Sequence, residues 1–127
     1  MVQYTDVFSG FSVDDIDAAR AFYRDVLGLQ VADNEMGFLN VSLPAGGAVL
    51  VYGKPGHTPA SFTILNLAVD DVEAAVDELN ARGVVTKIYP DEQLPTDTKG
   101  IMRGNGPDIA WFTDPAGNVL SVLDGRG

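Results

Sequence analysis

The sequence predicts an α+β fold made of two tandem βαβββ modules, and three observations carry that prediction. A turn followed by a short apolar strand occurs twice, as Pro44-Ala45-Gly46-Gly47-Ala48-Val49-Leu50-Val51-Tyr52 and as Asp114-Pro115-Ala116-Gly117-Asn118-Val119-Leu120-Ser121-Val122-Leu123. Pro presets φ, Gly supplies positive φ, and Asp and Asn side chains bond nearby backbone, so both stretches reverse the chain before a strand. Val13-Asp14-Asp15-Ile16-Asp17-Ala18-Ala19 is echoed by Val69-Asp70-Asp71-Val72-Glu73-Ala74-Ala75 at an offset of 56. Between the copies, Lys54-Pro55-Gly56-His57-Thr58-Pro59 reads as a linker by composition. The chain is thus expected to be a single domain over residues 1–127, with modules near 4–53 and 61–125 and a linker at 54–60.

In chain order, residues 7–13 read as a strand, and Asp14 or Asp15 as the N-cap of a helix. Ile16, Ala19, Phe22, Tyr23, Val26 and Leu27 recur at helical spacing, with Gly28 as the stop. Residues 29–32, 38–43 and 49–52 read as strands and complete the first module. The second restarts with a strand at 61–69 and a helix capped by Asp70 or Asp71. That helix has Val72, Ala75, Val76 and Leu79 as its stripe and Gly83 as its end. Strands are expected at 84–89, 109–113 and 119–123. Matching Val49-Leu50 to Val119-Leu120 gives an offset of 70. The larger offset places an insertion at residues 90–107, a stretch suited to a lid, a binding loop or a mobile segment.

Composition excludes several classes. Eighteen acidic against eight basic residues give a net charge of −10, the wrong sign for neutralising phosphates, so no nucleic-acid partner is expected. The charge suits either attraction of a cationic ligand or plain surface solvation. No apolar run approaches the roughly 18 residues that cross a bilayer, so no membrane partner is expected. The first residues lack a basic segment followed by an apolar one, and a cytoplasmic location is the expectation. The chain has no cysteine, hence no thiol nucleophile or thiolate ligand. Neither a phosphate-binding loop nor a dinucleotide fingerprint follows a strand.

The two modules, the helix Ile-Asp-Ala-Ala-Arg-Ala-Phe-Tyr-Arg-Asp-Val-Leu-Gly-Leu and the closing Asp-Pro-Ala-Gly-Asn together resemble the glyoxalase/bleomycin-resistance/extradiol-dioxygenase superfamily, the vicinal oxygen chelate proteins. The resemblance spans nearly the whole chain. It implies a curved, mixed eight-stranded sheet around a cavity with the helices outside, and a homodimer. In metal-dependent members, ligands stand five residues before the Val that ends each first strand and directly after the positions matching Leu50 and Leu120. Here those places are Phe8, Ile64, Val51 and Ser121. Three hydrocarbons and one hydroxyl supply no imidazole or carboxylate donor. No metal and no other cofactor is therefore expected.

If Phe8 faces the implied cavity, strand alternation turns Gly10 and Ser12 inward and Val7, Phe11 and Val13 under the helix. Ile64 likewise brings Asn66 and Ala68 inward, and Val51 and Ser121 would join them. Such a wall, apolar with sparse polar points, suits a small-molecule ligand. The expected ligand-binding residues are Phe8, Ser12, Asn40, Val51, Ile64, Asn66, Met102, Arg103, Trp111 and Ser121. Asn66 stands out because a buried amide needs partners. Met102 could adapt to a ligand and Arg103 could bind an anion or be surface charge. Trp111, at the place of Asn40 in the first copy, suits either core packing or ligand stacking. Tyr52 and Tyr89 would line the pocket or a dimer seam. His57, the sole histidine, reads as a solvated linker residue, and no Ser-His-Asp set assembles around it. Catalytic residues are not identifiable. Two classes of function stay open: a metal-independent protein that sequesters an apolar or cationic drug or metabolite, and a glyoxalase-like lyase, isomerase or dioxygenase-related enzyme of specialised metabolism.

Overall fold

In a computed structural model, which describes residues 1–104 and 106–125, the chain forms two compact units that divide between Pro59 and Ala60, inside the expected linker. Asn105, within the 90–107 stretch, and residues 126–127 of the expected domain lie outside the described residues.

The first unit contains β1 (Ser9–Val13), α1 (Ile16–Ala21), β2 (Gln30–Asp33), β3 (Leu39–Ser42) and β4 (Ala48–Gly53). Its sheet has the order β1-β4-β3-β2, with β1 parallel to β4 and the other pairs antiparallel. Asp15 is the N-cap, its Oδ1 accepting from the Ala18 N–H at 3.1 Å. The expected helix is α-helical only to Ala21 and continues as a π-helical turn over Phe22–Val26. That widened turn points both Phe22 and Tyr23 inward, their rings 5.2 Å apart, and sets Tyr23 5.7 Å from Phe11 of β1. Beneath lie Val13, Leu39, Val41, Val49 and Val51, all buried.

The second unit repeats the layout with β5 (Thr63–Val69), α2 (Val72–Ala81), β6 (Ile101–Met102), β7 (Ile109–Thr113) and β8 (Val119–Asp124), in the order β5-β8-β7-β6. Asp71 caps α2 through the Ala74 N–H at 3.0 Å. Val72, Val76 and Leu79 of α2 are buried, as are Ala110, Phe112, Leu120 and Val122 of the strands it covers. The fold is α+β as expected, but the strands hydrogen-bond as two four-stranded sheets, and the sheets are not closed.

Two elements depart from expectation. Residues 84–89 form no ladder. Their polar groups are instead held by side chains: Thr86 Oγ1 donates to the Lys99 carbonyl at 2.6 Å and accepts from Asn80 Nδ2 at 3.0 Å, and Asn80 Nδ2 also reaches the Val84 carbonyl at 2.8 Å. The edge strand is β6, inside the stretch expected to be an insertion.

Among the described residues, one turn recurs four times. In Asn34–Phe38, Leu43–Gly47, Asp97–Ile101 and Asp114–Asn118, the first residue's N–H bonds the fifth residue's carbonyl, and the fourth, a glycine, bonds back to the first. All four glycines have positive φ, between 82° and 113°, the region that excludes most side chains. Comparing the two turns before β4 and β8 gives the true offset: Leu43, Gly46 and Gly47 correspond to Asp114, Gly117 and Asn118, which is 71 and not 70. A one-residue slip exchanges the two faces of a strand. The first-module counterpart of Ser121 is therefore Leu50, and Val51 matches Val122.

Candidate functional site

Each sheet has a face turned away from its helix, and these open faces collect most of the chemistry-bearing residues. On the first sheet, Phe11 pairs with Val51 and Gly10 with Leu50, while Ser12 pairs with Tyr52 and Asn40 with Leu50. The buried Val51 thus lies on the helix face, as does Gly53, whose missing Cβ would stand 3.3 Å from Ile16 of α1. Val51 is accordingly not beside Ser12; Leu50 and Tyr52 are. Phe8 precedes β1 and is 61% exposed, so no ladder orients it with Gly10 and Ser12.

Ser12 Oγ lies 2.7 Å from Nδ1 of His57, which overturns the reading of that histidine as a solvated linker residue. Two backbone bonds bring it there. Lys54 N–H donates to the Val13 carbonyl at 3.0 Å, and His57 N–H donates to the Lys54 carbonyl at 3.1 Å. The Tyr52 ring stands edge-on to Phe38, centroids 6.1 Å apart. Composition marked the linker, but a Pro/Gly segment gives no sign of which strand it folds back upon.

On the second sheet, Asn66 pairs with Ser121 and Ser121 with Trp111. Ser121 Oγ donates to Asn66 Oδ1 at 2.6 Å, and Trp111 stands edge-on to Tyr89 at 5.8 Å. This settles the facing of Trp111: it shares the face of Asn66 and Ser121, while its neighbours Ala110 and Phe112 are buried toward α2. Met102 pairs with Ile109, two residues before Trp111, and so joins the same face. Ile64 falls at a break in the register between Thr63 and Leu65 and has no paired partner.

Arg103 goes elsewhere. Its guanidinium bonds Glu73 of α2 at 2.7 Å, Asp108 at 3.2 Å and Asp97 at 3.4 Å. Burial opposes its charge, yet the carboxylates of Asp108, Asp97 and Glu73 hold its pKa above the ordinary value. Lys99, whose pKa is raised chiefly by its hydrogen bond with Asp77 at 2.8 Å, adds a second tie from the same stretch to α2. Asp97 is held below the usual carboxylate range: burial resists ionisation, but the Ile101 and Lys99 N–H groups and Arg103 outweigh it. Residues 97–103 are thus strapped to the outside of the helix, and Arg103 is an internal counter-ion there. An anion-binding role does not fit it.

The residues at the superfamily's metal positions do not fit a metal. With the corrected offset they are Phe8, Leu50, Ile64 and Ser121, and the one oxygen among them already donates to Asn66. Among the described residues, no group of three or more His, Asp or Glu side chains is placed to hold an ion.

The family model of the Glyoxalase/Bleomycin resistance protein/Dioxygenase superfamily matches residues 5–122, and the chain belongs to that superfamily. No curated protein matches the sequence significantly. Among solved structures, TnmS3, an antibiotic binding protein from Streptomyces sp. CB03234, is 25% identical with a TM-score of 0.72, over 98% of both chains. The oxidase ChaP-H2 is 24% identical (TM-score 0.70, covering 97% of this chain and 94% of that one). A lactoylglutathione lyase from Agrobacterium tumefaciens is 22% identical (TM-score 0.68, covering 98% and 96%). The latter two share the fold. No helix among the described residues is long and apolar enough to cross a membrane.

Proposed function

We propose that the chain is a metal-independent binding protein that sequesters a small, largely apolar aromatic molecule on the open face of a sheet. The observation that carries this reading is that each open face pairs an edge-on aromatic couple with a hydrogen-bonded polar couple: Phe38–Tyr52 with Ser12–His57, and Tyr89–Trp111 with Asn66–Ser121. Flat rings with a few fixed polar points suit an aromatic ligand of limited polarity. The likeness to an antibiotic binding protein at 25% identity supports a drug or specialised metabolite as that ligand. The net charge of −10 would favour a cationic form of it, and a cytoplasmic location suits such a role. The enzymatic alternative gains no support from the residues at the metal positions.

The test uses 2-methoxynaphthalene as a probe. It is expected to quench Trp111 fluorescence and raise the melting temperature equally with and without a chelator, on protein holding no stoichiometric zinc, nickel, manganese or iron. Trp111→Ala, read by melting temperature, should weaken binding roughly three- to tenfold. One tightly held ion per chain whose removal abolishes binding would sink the metal-independent reading.

The protein is further proposed to act as a homodimer. Val2, Tyr4, Val7, Phe8 and Phe62 are large apolar side chains more than 60% exposed in the single chain. Sedimentation should give twice the 13.5 kDa chain mass at micromolar concentration, and a mass of one chain would count against pairing.

A further inference from the structure

We infer that the amide NH2 of Asn66, held outward by Ser121, is a donor that selects planar aromatic ligands bearing a carbonyl at the ring edge. The inference rests on the binding reading above and names a ligand class for the second sheet's open face. Asn66, Ser121 and Trp111 form one row across β5, β8 and β7, because Ser121 pairs with both of the others. Strands about 4.8 Å apart set Asn66 roughly 10 Å from Trp111, with the small serine between them. The next row on that face is Ala68, Leu123, Ile109 and Met102, which adds no hydrogen-bond donor. Ser121 is wholly buried, whereas Asn66 is exposed and within a ligand's reach. A flat ring laid against Trp111, whose indole meets Tyr89 edge-on, carries a substituent across the serine to Asn66.

Hydrogen-bond direction decides which end of the amide a ligand meets. Ser121 Oγ lies 2.6 Å from Asn66 Oδ1, and among the described residues its side chain has no second partner. Were the amide turned end for end, its NH2 would donate to Oγ and the seryl proton would have no acceptor. A buried donor without an acceptor bears the full desolvation penalty of that group. Ser121 therefore keeps its proton on Oδ1, and Nδ2 points away from it. Nδ2 carries two protons and has no partner among the described residues, so the outward end of the amide only donates. A ligand carbonyl accepts one of these protons. That bond polarises the amide and strengthens Oδ1 as the acceptor for Ser121, so the two bonds support each other.

The experiment compares 2-acetylnaphthalene with 2-isopropenylnaphthalene, which match in shape and differ in the carbonyl oxygen, by calorimetric titration. Wild type should prefer the ketone about fivefold, the worth of one ordinary hydrogen bond. Asn66→Asp keeps an acceptor for Ser121 and removes only the NH2, so its ratio should fall to one or below. Asn66→Ala, a second variant at this exposed position, should bring the ratio to one. Ser121→Ala frees the amide to turn its oxygen outward, so 2-naphthol, a donor, should gain about threefold on the ketone relative to wild type. An unchanged ketone-to-naphthol ratio in Ser121→Ala overturns the orienting role of the serine. A ketone preference that survives in Asn66→Asp, or none in wild type, overturns the inference while leaving the binding reading intact. Failure of wild type to bind any of these compounds overturns both.

Discussion

Replacing Gly100 by alanine is expected to destabilise the protein by about 4 kcal/mol, far more than the same change at Gly37, although both glycines hold the same place in the same turn. Each has positive φ, 86° and 82°, which costs an alanine roughly 1–2 kcal/mol. The difference lies in what surrounds them. A Cβ at Gly37 meets nothing within 4 Å. At Gly100 it would collide with the Thr86 carbonyl oxygen and lie 2.5 Å from the carbonyl carbon and 2.9 Å from Lys87 Cα. These are backbone atoms, so no side chain can swing aside, and the cost is that of overpacking, about 1–3 kcal/mol more. Thr86 cannot retreat without breaking its bonds to Lys99 and Asn80. Thermal denaturation should show a fall of roughly 10–20 °C for Gly100→Ala and a few degrees for Gly37→Ala. Equal losses would mean the contact with residues 86–87 is not rigid.

This contact also explains why the strand expected at residues 84–89 does not form. Val84-Val85-Thr86-Lys87-Ile88-Tyr89 has strand composition, yet Val85 is 66% exposed and the run makes no ladder. What occupies it is a side-chain network with a segment thirteen residues away (Thr86 to Lys99), and local propensity carries no information about such a partner. The helices were legible because capping and periodicity are local: Asp15, Asp71 and the apolar stripes are where the spacing put them. The duplication is legible too, but the likeness of Val49-Leu50 to Val119-Leu120 sets the two copies one residue out of register. That single-residue error moved Val51 from the core to the site and hid Leu50. The turn hydrogen bonds and the strand pairing fix the register. The Asn66–Ser121 couple and the facing of Trp111 follow from alternation once the register is known. The Ser12–His57 contact spans 45 residues and two backbone bonds, and no pattern in the sequence announces it.

Asp114→Ala is expected to cost about 3–4 kcal/mol, with Asp114→Asn falling between it and wild type. Asp114 opens the last of the four turns and is 3% exposed. Its Oδ1 accepts from the N–H groups of Ala116 at 3.0 Å and Asn118 at 2.8 Å, and its Oδ2 accepts from Asn118 Nδ2 at 3.1 Å. Asn118, thus oriented and itself buried, accepts the Ala60 N–H on Oδ1 at 3.0 Å and ties the start of the second unit to the turn before β8. Alanine would strand these buried donors, each worth about 1–3 kcal/mol when unsatisfied, less whatever water can reach as the turn relaxes. Asparagine keeps one oxygen for the two backbone donors but sets an amide NH2 against Asn118 Nδ2, losing only that bond. The corresponding first-module turn begins with Leu43 and makes the same backbone bonds without a carboxylate, so the backbone alone can form the turn. The carboxylate's contribution is therefore to satisfy donors that burial has cut off from water, and to aim Asn118. Urea unfolding of the three proteins measures it. If Asp114→Ala lies within about 1 kcal/mol of wild type, or Asp114→Asn is as damaging as alanine, the side chain is not what holds the turn that introduces β8 and, with it, Ser121.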